Sequence, residues 1–474
     1  MTYRIVLVLA LIFFTPLATP IEELPEMGAP SDSVLTPIEE KRLGDAFFRS
    51  LHRHLDINQD LEIANYIASL GNSLASHSDA PAHAFHFFVV LSPEINAFAG
   101  PAGYIGVNSG LILKTRSESE LASVIAHEIA HVTQNHLHRA FAAAKRMTLP
   151  MAAATLAAIL IGTQVPELGQ AALIALQAGG VQYQINFTRD NEKEADRIGL
   201  QILAKSNFNP RSMPTFFEQL QQSTQFLGRD LPEFLRTHPV TSSRIADTRS
   251  RAEKFPYRQY PDSLSYLLTK AKLQVLTSGN LESTVADFRS RLNRGTPKQR
   301  AAVKYGLALA LQRQHHLKQS HELLAQLLAD FPDQPQFINA IAQVEIEMGQ
   351  IPAGLKRYQA ALRRFPASRI LRLEYAQALL ETHHFDSARR LLTPYANNPR
   401  FPRLYKLLSR AYAGLGQNAE AHRYMAEYYY ATGNLESAIR QAKLATKTAS
   451  GDRIVAAIAK ERLRYFKAEK KARK

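Results

Sequence analysis

Residues 127–131 read His-Glu-Ile-Ala-His. In a helix, four residues turn through about 400° and rise roughly 6 Å, so the rings of His127 and His131 leave one face. Two imidazole nitrogens so placed can reach one tetrahedral zinc at about 2.0–2.1 Å each. Glu128, beside them, is positioned to take a proton from a water that such an ion activates. The spacing also arises by chance in long chains. Here Ser117 and Glu120 form a capping box ahead of Leu121, Val124 and Ile125. That places the motif inside a helix with an apolar face, expected to run to about Ala144.

Two histidines do not complete a catalytic zinc site; a third protein ligand is needed. The chain has no cysteine, so that ligand must offer nitrogen or oxygen. His136 follows His131 at the wrong helical angle, and His138 lies too far along the axis, so both are expected at the surface. The extended HExxHxxGxxH pattern fails, because Gln134 and Leu137 stand where glycine and histidine belong. The better candidate is Asn191-Glu192-Lys193-Glu194-Ala195-Asp196. Glu192 and Asp196 share a helix face. Glu192 would complete a His₂Glu set, and Asp196 could accept the free ring N–H of a ligating histidine. Glu194 is rotated by about 200° and should face elsewhere. The competing reading is an exposed run of charge.

Several elements must hold these groups. Thr36-Pro37 followed by Glu39 and Glu40 reads as a helix start, with a broken helical pattern to about Ser76. Residues 85–91 are aromatic and β-branched and read as a strand. A second strand at 97–99, a turn at 100–103 and a third strand at 104–107 follow. Asp190 opens a helix that ends before Asn209-Pro210. The apolar stretch 147–178 is interrupted by Gly162, Pro166 and Gly169. Its longest run, 149–162, is too short for a membrane span, so it reads as core packing.

Beyond about Ser263 the pattern is continuous helix with an internal repeat. Phe331-Pro332 and Phe365-Pro366 recur 34 positions apart, and Asn398-Pro399 follows 33 later. Ala308, Ala342 and Ala376 recur in step, with Gly354 and Ala388 behind them, and GNLES occurs at 279–283 and at 433–437. A period near 34 with Ala, Tyr and Pro punctuation is the tetratricopeptide signature. Such helix pairs stack into a superhelix because none can bury its apolar face alone. The fold expected is therefore mostly α: an α+β zincin-like metalloprotease domain with a small β-sheet, then an all-α repeat superhelix.

The 474 residues, 46% of them hydrophobic and 21% charged, are enough for two cores and are not disordered in composition. The formal charge of +15 favours acidic partners, phospholipid head groups among them, although no nucleic-acid module stands out. Without cysteine there are no disulfides, no thiolate zinc site and no lipidated N-terminal cysteine. Arg4 followed by the apolar run 5–14 and small Ala18 reads as a signal peptide. The expected organisation is signal 1–19, linker 20–36, peptidase 37–262, repeats 263–466 and a solvated basic tail 467–474.

HEIAH followed about 60 residues later by NEKEADRIG resembles the zinc peptidase family with an HExxH…ExxxD signature, which includes the CAAX prenyl proteases and the heat-shock protease HtpX. NAFAGPAGYIGVNSGLI before the motif, RTHPVTSSRIAD after it and the repeat tail are most similar to periplasmic members that serve outer-membrane β-barrel assembly. The resemblance implies one zinc ion per subunit, His127, His131 and Glu192 as ligands, Glu128 as general base, and Asp196 as the carboxylate behind a ligand. His238 and Arg244 lie in its HPxxxxR part. Either could stabilise the oxyanion of peptide hydrolysis. His238 could instead fill the fourth zinc position and hold the enzyme latent, or cap a helix beside Pro239. Asn96, Ala97, Phe98 and Ala99 would form an edge strand that binds extended substrate by strand addition, giving broad specificity and a preference for unfolded chains. Gly100 and Ala102 depart from the family, where leucine and glycine are expected.

The function implied is a periplasmic zinc endopeptidase that degrades misassembled outer-membrane proteins, with the repeats engaging the barrel-assembly machinery. One rival is a non-hydrolytic chaperone or scaffold with a structural or autoinhibitory zinc. Another is a membrane protease with 147–178 embedded in the bilayer.

Overall fold

The computed structural model describes residues 36–137, 189–224, 232–396, 402–449 and 452–472. The signal and linker segments, His138, the apolar stretch 147–178 and Asn398-Pro399 lie outside the described residues.

Helix α1 (Pro37–His54) starts as its sequence dictates. Thr36 accepts from Glu39 N, and the Glu39 carboxylate accepts from Thr36 N, closing a capping box with Pro37 in the first turn. Helix α2 (Leu61–Ala75) is capped by the Asp60 carboxylate. Between them in space lies a three-stranded sheet of β1 (His86–Val90), β2 (Ala97–Ala99) and β3 (Tyr104–Asn108), in the order β1-β3-β2. β1 runs parallel to β3, and β2 antiparallel to it. Alternation along the strands sends Phe88, Val90, Phe98 and Tyr104 against Leu43, Phe47 and Leu51 of α1. Val89, Ala97, Ile105 and Val107 face the opposite way, onto Ile63, Ile67, Leu70 and Leu74 of α2. β2 is an edge strand, and among the described residues no further strand pairs with it.

The turn from β2 to β3 is a 3₁₀ turn at Pro101–Gly103. Ala102 sits there at φ 55°, ψ 34°, in the left-handed region, at the position where the resemblance led to glycine being expected. At Gly100, a Cβ atom would meet the Phe47 ring at 2.3 Å, so the leucine expected at that position has no room here.

Two short elements, α3 (Ser109–Lys114) and the loop after it, lead into α4 (Glu118–Thr133), the helix that carries HEIAH. The capping box expected here is half made. Ser117 accepts from Glu120 N, while the Glu120 carboxylate accepts from Arg116 N instead of from Ser117. The helix is buried on every side from Glu118 to His131. It also stops well short of Ala144, because Asn135 takes φ 53° and turns the chain back. Asparagine tolerates that left-handed cap conformation better than most residues. Beyond it lie α5 (Arg189–Lys205), α6 (Ser212–Thr224), α7 (Glu233–Thr237) and α8 (Ser242–Ala252).

Twelve described helices follow, from α9 (Leu264–Leu276) to the last at Arg453–Ala472. The repeated sequence features do repeated jobs. Phe331 and Phe365 close the helices Leu317–Asp330 and Ile351–Arg364. Asn280 and Asn434 of the two GNLES strings each cap a helix by accepting from Ser283 N and Ser437 N. Ala308, Ala342 and Ala376 are fully buried where helices approach closely, and a Cβ at Gly354 would lie 2.7 Å from Ala342 O. The whole is an α+β unit followed by an all-α repeat array.

The two parts are joined by more than chain connectivity. Lys272 of α9 bonds both Asp60 and Glu62 at 2.8 Å, and Glu62 also accepts from Tyr305 at 2.7 Å and Asn339 at 2.8 Å. Leu61 between them lies in the repeat core beside Leu373 and Tyr405.

Candidate active site

Helix α4 presents His127 and His131 on one face, with both rings buried. Helix α5 is pressed against it at Gly199, where an added Cβ would come within 3.2 Å of His127 N. One and two turns before Gly199, the same face of α5 carries Asp196 and Glu192. The close backbone approach thus drives both acids against the histidine pair. The short helix α7 delivers His238 from a third direction. His238 N donates to Phe234 O, the Phe234 ring stacks on His238 at 4.9 Å, and Phe234 N donates to Ile95 O just before β2.

The donor atoms converge. The Nε2 atoms of His127 and His131 lie 3.0 Å apart, and Glu192 oxygens stand 3.4 Å and 3.5 Å from them. His238 Nδ1 lies 3.1 Å from Glu192 Oε1 and 3.4 Å from His127 Nε2. One donor atom from each of the four residues falls within 4.8 Å of all the others. Bonds of ~2.05 Å in tetrahedral directions require donors ~3.3 Å apart. The spacings found here meet that requirement, and an all-nitrogen-and-oxygen set suits zinc. The residues present therefore fit a metal ion.

Glu128 points to the same centre from the other side. It accepts from Ala99 N of β2, and its Oε1 lies 3.5 Å from His238 Nε2 without a hydrogen-bond partner among the described residues. Burial raises its pKa, which His238 and His127 partly oppose. Burial also disfavours a charged Glu192, but the facing His238 and His127 outweigh it and hold the carboxyl well below the usual range.

Behind the cluster, His127 Nδ1 lies 3.0 Å from Asp196 Oδ1. Arg244 clamps Asp196 through Nε at 2.7 Å and Nη2 at 2.8 Å. Its Nη1 stands 2.8 Å from Glu192 Oε2 and donates to Pro239 O. Burial acts against charge on Asp196, but the His127 and Arg244 hydrogen bonds keep it ionised. Arg244 is 3% exposed with its guanidinium committed behind the carboxylates. The sequence-based expectation that it supports an oxyanion is therefore corrected: it neutralises and orients two acids.

His136 also departs from expectation. It is 1% exposed, not at the surface, and its Nδ1 lies 2.7 Å from His131 Nδ1. The helix end at Asn135 is the cause, since it folds the chain back beneath His131. The asparagine before His136 was the only sequence signal for that turn. Of the edge-strand residues, Ala97 and Phe98 are buried and Ala99 is partly exposed, while Asn96 is buried with its side-chain oxygen unpartnered among the described residues.

Comparison with known proteins finds a peptidase match followed by a repeat match. Residues 62–252 match Peptidase family M48, and residues 298–440 match a tetratricopeptide repeat family. The chain is 36% identical over 400 residues to a putative beta-barrel assembly-enhancing protease of Vibrio cholerae, spanning 84% of this chain and 82% of that one. It is 34% identical over 419 residues to the beta-barrel assembly-enhancing protease of Escherichia coli K12, spanning 88% and 86%. A mitochondrial metalloendopeptidase OMA1 of Arabidopsis thaliana is 35% identical over 157 residues, 33% of this chain and 29% of the other.

Proposed function

Because this chain belongs to peptidase family M48 and is a metallopeptidase with tetratricopeptide repeats, we propose that it is a zinc endopeptidase of the periplasm acting on unfolded or misassembled outer-membrane proteins. The names of its relatives support the link to barrel assembly. The observation that carries the chemistry is the convergence of four ligand atoms, all within 4.8 Å of one another, beside a Glu128 oxygen with no hydrogen-bond partner among the described residues.

His127, His131 and Glu192 would hold the ion, with His238 as a fourth ligand. A zinc ion held there would supply Lewis-acid polarisation of the scissile carbonyl and would lower the pKa of a water to near 7. Glu128 accepts the water proton at Oε1 and passes it to the leaving amine. Its other anchor, the amide of Ala99, ties the base to β2, so the strand that would align the substrate backbone also aims the base. Asp196 fixes the His127 tautomer, and Arg244 holds Asp196 and Glu192 in place.

A site with four protein ligands leaves no open position. With His238 as a fourth ligand, the described position would correspond to a resting enzyme, and His238 would have to leave the cluster for hydrolysis. Displaced from the ion, its imidazole would be available to stabilise the oxyanion. The repeats, on this reading, hold a barrel-assembly partner or client, and the catalytic centre acts on chains that fail to fold.

Glu128→Gln removes the base and keeps the ligands. Cleavage of casein or of an unfolded barrel protein should fall by about 10²–10⁴-fold, with zinc content unchanged. Equal cleavage by the variant would overturn the mechanism and favour a non-hydrolytic scaffold.

A further inference from the structure

We propose that His136 is a positioning residue for the ligand His131, and that Glu194 fixes it in that role. This rests on the zinc reading above. His136 Nδ1 lies 2.7 Å from His131 Nδ1, and His136 Nε2 lies 3.2 Å from Glu194 Oε2. His136 is buried, while the Glu194 side chain is 31% exposed.

The protons on this chain have one consistent arrangement. His131 turns Nε2 toward His127 and Glu192, so that nitrogen offers its lone pair to the ion. Its proton then sits on Nδ1 and must be donated. His136 Nδ1 accepts it, which puts the His136 proton on Nε2, facing the Glu194 carboxylate. Each step fixes the next, and the chain ends on an anion that stabilises the arrangement. Locking the ring and tautomer of a ligand raises its basicity toward the metal.

Helix α5 therefore serves the site three times. Glu192 faces the ion, Asp196 backs His127, and Glu194 backs His131 through His136. Glu194 is turned away from Glu192 on its own helix. It still reaches the site because the chain past Asn135 brings His136 round to that side. A core histidine kept only for packing has no need of two aligned partners, one of them a carboxylate on a neighbouring helix.

The test uses the full chain, stripped of metal and titrated with zinc against a competing chelator, with cobalt(II) absorption as a second readout. His136→Phe keeps the ring volume and removes the acceptor. Zinc affinity should fall about 10–100-fold, and the cobalt ligand-field bands should shift. Glu194→Gln keeps an acceptor oxygen and should stay within about threefold of wild type. Glu194→Leu, at a partly exposed position that tolerates substitution, should weaken zinc by about 3–10-fold and covers the case in which His136→Phe does not fold. Folded His136→Phe, or Glu194→Leu, with wild-type affinity and an unchanged cobalt spectrum would overturn the proposal. Wild-type protein that takes up no zinc, or His127→Ala that keeps it, would instead sink the metal site itself.

Discussion

At the scale of single residues, the site is built from groups whose burial makes their partners decisive. Glu233 shows the cost of lacking one. It is fully buried, neither carboxylate oxygen has a hydrogen-bond partner among the described residues, and burial, opposed by Arg236, pushes its pKa from 4.5 to about 7. Between those pH values the unfolded chain has released this proton and the folded chain has kept it. Stability from this group is therefore lost as pH rises from about 4.5 through 7. Glu233→Gln should leave the melting temperature nearly unchanged at pH 5 and raise it at pH 8; an equal effect at both pH values would contradict the assignment. Ala102 holds a left-handed conformation that glycine adopts freely. Ala102→Gly should therefore stabilise the fold by roughly 0.5–1 kcal/mol in denaturant titration, and a loss of stability would show that the methyl group packs usefully. His127 and His131, and likewise Glu192 and Asp196, could be paired from helical spacing, while the choice of Glu192 and Asp196 over an exposed run of charge came from the family resemblance. His136 could not be placed, since its position depends on one asparagine ending the helix. The role of Arg244 was equally hidden, because its direction is set by which acids happen to face it.

At the scale of elements, most helices and all three strands were legible, because caps and apolar periodicity are local signals. The helix start at Thr36-Pro37 and the aromatic, β-branched run at 85–91 are examples. What the sequence did not disclose is the long-range contact at the start of α2. There the partly exposed Asp60 and the buried Glu62 sit side by side, and Lys272 from α9 compensates both, with Tyr305 and Asn339 satisfying Glu62. Burial favours a neutral Glu62, and Lys272 opposes that. Removing the lysine leaves the buried Glu62 carboxylate beside that of Asp60 with no cation between them. Lys272→Met should cost about 3–5 kcal/mol in unfolding free energy. The triple variant that adds Asp60→Asn and Glu62→Gln should recover much of that loss. A cost below about 1 kcal/mol for Lys272→Met would show that this cluster does not hold the two parts together.

At the scale of the whole molecule, the repeat array meets the peptidase unit near the end of α1 and at the start of α2. Leu61 enters the repeat core, while Arg49 of α1 pairs with Glu469 at 3.4 Å and lies over the Tyr430 ring. Among the described residues no helix is long and apolar enough to cross a membrane. Repeat period and order along the chain were readable from sequence, but which repeat surface meets the peptidase was not, since it is set by side chains hundreds of positions apart. The proposed activity depends on one ion held by His127, His131 and Glu192. The most direct measurement is an anomalous-difference map at the zinc absorption edge from crystals of the full chain grown with zinc. One peak is predicted, about 2.0–2.2 Å from a nitrogen of each histidine and an oxygen of Glu192. No peak at that position, in protein that still cleaves casein, would contradict the site.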